Sequence, residues 1–325
     1  ICGRLQLKLG LYEDAKVNFD KLAARDDVKI GIKAQAEQGA KTCDFAIDQI
    51  AHPKPFEYES MGDAINTEHS EYSPALTADE SMIIFTRLIP SELTADGMQE
   101  DFFYSRKVGD TWTQAIPMGN TLNSTNNEGA HTISPDGQAF YFTACNREGG
   151  KGSCDLYLSK PYKGGWDYPV NLKVLNSSAW DSQPSIGPDG RTIYFASARS
   201  GEMDIYTSYL GDNGRWSTPV PLPSNINTDR SEMAPFIHPD GQTLYFTSNG
   251  HLGMGGFDIF ISRKTGPHTW SDPVNIGYPI NSYRDEAFLF VSASGETAYF
   301  ASDIKGGTGM DIYTFPLYEE ARPVA

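Results

Sequence analysis

The sequence has no hydrophobic run that approaches the roughly 18 apolar residues that a membrane-spanning helix needs, although 39% of its 325 residues are hydrophobic. It contains neither an HExxH nor a Cys-x-x-Cys motif, and no Ser, His and Asp follow one another in a hydrolase order. Its histidines show no spacing typical of metal ligands: they are His52, His69, His131, His238, His251 and His268. These absences predict a globular protein with no catalytic residue, no metal site and no cofactor.

Basic residues are also scarce, because 26 Lys and Arg face 42 Asp and Glu, a net charge of −16. Residues 1–55 hold nine basic and eight acidic residues, so the remainder carries 17 basic against 34 acidic residues, or −17. Such an acidic surface repels phosphate backbones, which excludes nucleic acid as a partner. A cationic peptide, a metal ion or a basic protein face is a better match.

Five copies of one pattern fill most of the chain, and such repeats decide the architecture. Each copy begins with an apolar strand and a turn, of which the clearest are Ser134–Gly137, Gly187–Gly190 and His238–Gly241, with degenerate copies at Thr77–Glu80 and Ser292–Gly295. An aromatic pair or its variant follows at 84–85, 141–142, 194–195, 245–246 and 299–300. A third strand opens on Asp101, Asp155, Asp204, Asp258 or Asp311, and a fourth follows Trp112, Trp166, Trp216 or Trp270. Four short antiparallel strands per copy are typical of a propeller blade.

Only the fifth copy lacks its Trp and fourth strand. The segment from Phe56 to Asn66 has the aromatic-to-Asn spacing of the other fourth strands. We therefore expect it to pair with the last blade and close the ring, which hides the sheet edges. The sequence predicts a mainly β protein, a five-bladed β-propeller over residues 56–317, with recurrent Trp side chains packed between blades.

The first 50 residues differ in kind, with apolar residues at helical spacings. The pattern Gly10-x-Tyr12-x-x-Ala15 followed by Phe19 resembles a tetratricopeptide (TPR) hairpin, and one such repeat cannot bury its own apolar face. We therefore expect a TPR-like segment over residues 1–50 and a proline-containing linker over 51–55. Residues 318–325 are expected to begin a linker to a following domain.

Four cysteines are present. Cys145 ends a second strand and Cys154 begins the third strand beside it, so a disulfide between them is one possibility and two thiols are the other. A disulfide would indicate an oxidising compartment. Cys2 and Cys43 lie in the helical segment, where we expect small buried residues.

An acid precedes each inner strand, five positions after an Asn. The five acids are Glu71, Glu128, Asp181, Glu232 and Glu286. They could form a ring at one mouth of the channel that binds an ion or a partner, or each could accept backbone N–H groups of its own loop. Trp180 breaks the pattern, since the other copies carry Ser70, Asn127, Ser231 and Asp285 there. We therefore expect Trp180 to contact a partner.

With Ser-Pro-Asp-Gly, Tyr-Phe and Asp-Ile-Tyr in place, the repeats resemble the TolB-type, WD40-like repeat called PD40. The order of a TPR end, this propeller and Tyr318–Pro323 is similar to the PorE-like family of outer-membrane-associated proteins in the Bacteroidetes. In that family a carboxypeptidase-regulatory-like domain and an OmpA-like domain follow. The resemblance implies periplasmic, outer-membrane-associated work in type IX secretion, gliding or a peptidoglycan-linked complex. It implies that peptidoglycan is bound only through the OmpA-like domain, beyond residue 325.

The sequence thus favours a non-catalytic module that binds a protein or peptide of the cell envelope. The alternative is a glycan-binding or glycoside-hydrolysing five-bladed propeller. The two differ in their carboxylates, because a glycosidase needs two carboxyl groups about 5–10 Å apart across a cleft rather than one repeated in each blade.

Overall fold

The computed structural model describes residues 2–92, 94, 97–304 and 309–324. Three helices are followed by five blades of antiparallel strands arranged around one axis, and the inner strands of neighbouring blades contact one another. The prediction of a mainly β, five-bladed propeller is confirmed. None of the described helices is long and apolar enough to cross a membrane.

Each blade runs from an inner strand beside the axis to a short outer strand at the rim. The inner strands are Ser70–Leu76, Glu128–Ile133, Asp181–Ile186, Glu232–Ile237 and Ala287–Val291. The second strands are Met82–Pro90, Phe140–Cys145, Thr192–Ser197, Thr243–Ser248 and Thr297–Ser302. The third strands are Met98–Val108, Cys154–Ser159, Asp204–Tyr209, Asp258–Gly266 and Asp311–Pro316. The outer strands are Ile116–Pro117, Val170–Asn171, Val220–Pro221, Val274–Asn275 and Glu59–Ser60. Two-residue extensions are Thr111–Trp112, Pro161–Tyr162, Gly165–Trp166 and Thr269–Trp270.

The Pro-Asp-Gly turns join inner to second strands by local chemistry. In blade 2 the carboxylate of Asp136 accepts the N–H of Gln138, and Gly137 has a φ of +67°, a left-handed conformation that favours glycine. In the degenerate turn of blade 1 Glu80 adopts the same region with a φ of 53°. Glycine at the last position of the motif therefore avoids the backbone strain that Glu80 adopts in blade 1.

The N-terminal segment closes the ring, as its spacing predicts. Glu59 and Ser60 pair antiparallel with Thr314 and Tyr313 on the third strand of blade 5. The outer strand of the last blade therefore comes from the beginning of the propeller, and blade 5 has its full set of four strands.

Among the described residues, the core of the propeller consists of five apolar clusters, one at each seam between neighbouring blades. At the seam between blades 3 and 4, Tyr194 packs with Leu244 and with Trp270, whose ring stands edge-on to Tyr194 at 6.1 Å. At the closing seam Tyr299 of blade 5 packs with Phe85 of blade 1. Recurrent Trp side chains therefore pack between blades, as predicted, and burial at the seams holds the ring together.

The helices α1, α2 and α3 span Cys2–Leu7, Tyr12–Ala23 and Ile30–Ala51. Tyr12 and Phe19 form an apolar cluster with Cys43 of α3 and Met254 of blade 4, so the helical segment is packed on the propeller. Gly10 joins α1 to α2 with a φ of +70°, and a Cβ there would approach the Tyr283 ring to 2.7 Å. Glycine is required at this position both for the turn and for the close contact with blade 5.

The tail expected to begin a linker, residues 318–325, packs on the propeller over its described part. Residues Glu319–Ala321 form a short 3₁₀ helix, and Ala321 is buried in the seam between blades 4 and 5. The Tyr245 hydroxyl donates to the carbonyl of Ala321 at 2.6 Å, and Arg263 donates to the carbonyl of Arg322 at 2.7 Å.

Candidate functional site

The inner strands share a bulge that shapes the central channel. In each one the pairing register shifts around a residue with positive φ, namely Ser73, Ala130, Gln183, Ala234 and Phe288. Neighbouring blades satisfy some of these bent segments, since the N–H of Gln183 donates to the Thr143 hydroxyl at 3.0 Å. Between the five bulges the channel narrows to a cavity of about 60 Å³, room for a few water molecules. At this level the channel is too narrow for a sugar ring.

The five acids before the inner strands are all buried, with at most 6% of a residue exposed. Each carboxylate accepts two hydrogen bonds from the Ser or Thr four residues earlier, one from its N–H and one from its hydroxyl. In blade 2 the Ser124 N–H and hydroxyl lie 2.8 and 2.5 Å from Glu128. The same pairs are Thr67 with Glu71, Ser177 with Asp181, Thr228 with Glu232 and Ser282 with Glu286. This geometry is the one expected of acids that support their own loops.

Arginine side chains donate further hydrogen bonds to two of these acids. Arg87 donates to Glu71 at 2.7 Å, and Arg199 donates to Asp181 at 2.6 Å. Burial raises the pKa of Glu128 and of Glu286 to about 7, against the opposing effect of the serine donors. Each acid is thus enclosed by its blade rather than presented to a ligand.

Sequence reasoning included backbone N–H donors as one alternative for these acids, but it missed their hydroxyl and arginine donors and the role of the Asn before them. A Ser or Thr follows the Asn in every copy, which is a visible signal for a hydroxyl-capped loop. The Asn side chain forms two hydrogen bonds with the third strand of the blade that precedes it. In blade 1, Asn123 accepts the N–H of Phe102 at 2.9 Å and donates to the carbonyl of Phe102 at 3.0 Å. That pairing is invisible without the neighbouring strand.

Trp180 lies on the same face as the acids, with 50% of the residue exposed. Its backbone is fixed, because its carbonyl accepts the N–H of Ala198 at 2.9 Å and the residue forms an isolated parallel β-bridge with Cys154. A Cβ on Gly152 would lie 1.8 Å from the carbonyl oxygen of Ala179, so the hairpin tip of blade 2 presses on the Trp180 loop. An exposed indole on a fixed backbone is a suitable anchor for a partner.

The structure joins Cys145 and Cys154 in a disulfide at the base of that hairpin tip, where the two residues lie opposite one another. The bridge fixes the tip that supports Trp180. Cys43 is buried, as expected, but Cys2 is exposed at the start of α1.

The opposite mouth of the channel is a funnel of about 450 Å³ built from the turns of all five blades. Its wall includes Ile133, Ile186, Pro188, Pro239 and Ala293. Its lining is largely apolar, which suits a hydrophobic side chain.

Neither a family model nor a curated protein matches the sequence, but many solved structures share the fold. TolB from Acinetobacter baumannii is 16% identical, with a TM-score of 0.50 over 87% of this chain and 70% of that one. A thermostable family-43 glycoside hydrolase is 15% identical, with a TM-score of 0.53 over 80% and 93% of the two chains. An α-L-arabinofuranosidase from Podospora anserina is 10% identical, with a TM-score of 0.51 over 82% and 99%. At such identities the likeness shows the fold alone.

Proposed function

We propose that the protein is a non-catalytic interaction module of a periplasmic, outer-membrane-associated assembly, of the kind that joins a TPR end to a TolB-like propeller. The observation that carries the proposal is the state of the five acids, because every one is buried and bonded to its own loop. Because these carboxylates support the scaffold, they are not free to act as a catalytic acid and nucleophile, and contact with a partner is left to exposed residues of the same face.

The glycosidase alternative has less support. Hydrolysis needs one carboxyl group as acid and a second as nucleophile or base, both reaching the same glycosidic bond. The five repeated acids do not meet this need, and the cavity between the bulges of the inner strands has only about 60 Å³ of space. Glycoside hydrolases are among the solved structures of this fold, so this alternative needs its own test.

Two features support the proposed periplasmic location and the proposed contact at Trp180. A disulfide between Cys145 and Cys154 suits an oxidising compartment such as the periplasm. Trp180 supplies a large exposed side chain on a backbone held by that disulfide-bearing hairpin. Its contact with a partner would bury indole area without the entropic cost of ordering a loop.

The test is affinity capture from envelope membrane extracts with the native protein, Trp180→Ala and Tyr168→Ala. Tyr168 is a matched control, because it is an aromatic residue of the same protein with 79% exposure but precedes the outer strand of blade 2. We expect one set of captured proteins to be lost with Trp180→Ala and kept with Tyr168→Ala, while both variants melt like the native protein. Equal capture by all three would contradict the assigned contact.

Enzymatic activity is tested in parallel with arabinan, xylan and aryl glycosides. We expect no release of reducing sugar above buffer. Turnover that Glu71→Gln or Glu128→Gln abolishes in a folded protein would overturn the non-catalytic assignment. Purified peptidoglycan sacculi should not retain this chain, since the proposal places that contact in a separate domain.

A further inference from the structure

A second concave surface lies where the helical segment meets blade 4. It is a cleft of about 660 Å³ between α1, α3 and the loops around residues 229–230 and 249–256. This volume falls within the roughly 300–1,000 Å³ range of ligand sites, which favour the boundary between two structural units. Residues 229–230 lead into the inner strand of blade 4, so the cleft opens on the same face as Trp180.

The α3 residues that line this cleft are uncharged. Gln35, Gln38, Gly39 and Thr42 lie at the i, i+3, i+4, i+7 spacing of one helix face, with Ala34 beside them. None of the charged residues of α3 lines the cleft; they are Lys33, Glu37, Lys41, Asp44 and Asp48. A helix docked here only for stability would fill the gap with apolar side chains. Amide groups around an open gap are suited instead to peptide groups, to which they can both donate and accept.

The cleft concentrates positive charge in a protein of net charge −16. Arg4 and Lys8 of the helical segment and Arg230 of blade 4 line it, with Asp229 and Asp258 as the acids. The Arg4 guanidinium is held by the side-chain oxygen of Gln35 at 2.5 Å. Since the rest of the surface repels anions, such a group of cations marks the place where an anionic ligand would be attracted.

Asp258 forms the floor of the cleft and does not cancel this charge. Its residue is 1% exposed, and one carboxylate oxygen accepts the N–H of Met254 at 2.7 Å. The other oxygen has no hydrogen-bond partner among the described residues, although Gly255 and Asn275 lie close enough to lower the pKa somewhat. Burial and the charge of Glu286 raise the pKa of Asp258 well above its usual range. A protonated Asp258 would add a donor to the floor rather than a negative charge.

We propose that this cleft binds a peptide segment that carries carboxylates, with Arg4, Lys8 and Arg230 on the carboxylates and the α3 amides on the peptide groups. The ligand is a peptide rather than a small inorganic anion, because the cleft is many times larger than one phosphate and its cations are joined by amide groups. The inference goes beyond the proposed function and holds whether or not Trp180 anchors a partner.

The test uses fluorescein-labelled hexapeptides of alternating Ser and Glu and measures anisotropy at low salt. A peptide with Gln in place of Glu is the control for charge, and an amidated form separates acidic side chains from a terminal carboxylate as the source. We expect the acidic peptide to bind, the Gln peptide not to bind, and affinity to fall as salt rises. Equal binding of the Glu and Gln peptides, or no binding at millimolar peptide, would overturn the proposal.

Two single-residue variants test whether the peptide binds in the cleft. Arg230→Ala should weaken binding roughly three- to tenfold, as for a partly exposed charge pair. Lys41→Ala removes the same charge from α3 outside the cleft and should change affinity little. Both residues are on the surface, so melting temperatures should be unchanged. If Lys41→Ala weakens binding as much as Arg230→Ala, only net charge is at work and no site exists. Tighter binding of polygalacturonate than of the acidic peptide would overturn the choice of a peptide.

Discussion

The repeated Asn makes a specific stability prediction at the seam where the ring closes. Asn66 accepts the N–H of Ile312 at 2.8 Å and donates to the carbonyl of the same residue at 2.9 Å, across 246 positions of sequence. A third contact runs from its amide to the Ser60 hydroxyl at 3.0 Å. The Asn66 side chain therefore adds hydrogen bonds to blade 5 beyond those of the two-residue closing strand.

Asn66→Ala would leave a buried N–H and a buried carbonyl of Ile312 without partners. Each costs about 1–3 kcal/mol when unsatisfied, so the loss of stability should be about 2–6 kcal/mol. That is a large part of a total stability of about 5–15 kcal/mol. The unfolding entropy of a 325-residue chain is about 0.7 kcal/mol/K, so the melting temperature should fall by roughly 3–9 °C. Asn66→Asp should cost no less, because it keeps the acceptor but sets a carboxylate against the carbonyl.

Thermal and urea unfolding of Asn66→Ala, beside Asn213→Ala, measures the effect. Asn213 is an exposed Asn whose side chain, within the described part of the chain, accepts the N–H of Arg215 at 3.0 Å and makes no other hydrogen bond, so its loss should cost well under about 1 kcal/mol. Asn227→Ala removes the corresponding side chain between blades 3 and 4, which the chain joins directly. There we expect a loss of stability of similar or smaller size. If Asn66→Ala is no more destabilising than Asn213→Ala, the side-chain bridge does not hold the ring.

Three other predictions concern closure, redox state and pH. Deleting residues 1–62 should lower the melting temperature far more than deleting residues 1–50, because only the longer deletion removes the closing strand; equal melting temperatures would contradict this. Thiol titration of denatured, unreduced protein should find two thiols, and four would mean that Cys145 and Cys154 are not bridged. Burial raises the pKa of Glu286 from 4.5 to about 7, so the folded protein binds a proton that the unfolded chain releases, and stability should fall as pH rises through that window. Urea titrations at pH 5 and pH 8 should show this fall in the native protein and a smaller one in Glu286→Gln; a rise with pH in the native protein would refute the assignment.

The fold could be predicted because its determinants are local and repeated. A Pro-Asp-Gly turn forces a reversal wherever it occurs, since only a few residues tolerate its backbone. Three such turns and two degenerate copies, at a spacing of one blade, leave little choice beyond a closed ring of blades. Even the closure was predictable, because the fifth copy lacks its Trp and Phe56 begins a segment that supplies the missing strand.

The site was less predictable because its parts meet only in three dimensions. The spacing of Asn123 to Glu128 was visible, but the partner of Asn123 is Phe102 in a strand that sequence cannot place at atomic distance. The sequence likewise contained the helices without indicating that they dock on Met254 of blade 4. Since Arg4 and Arg230 become neighbours only through that docking, no motif marks the cleft that they share.

Repetition itself separates scaffold from site in this molecule. A residue that recurs in all five blades does a task that every blade needs, and the acids are of this kind because each fixes the loop that enters an inner strand. A ligand without fivefold symmetry requires positions at which the copies differ. Trp180 is one, standing where Ser231 stands one blade later. The helical segment creates another, because it covers blade 4 and so gives Arg230 surroundings that no other blade has. Binding is therefore expected where the fivefold pattern is broken, on the face that carries both residues.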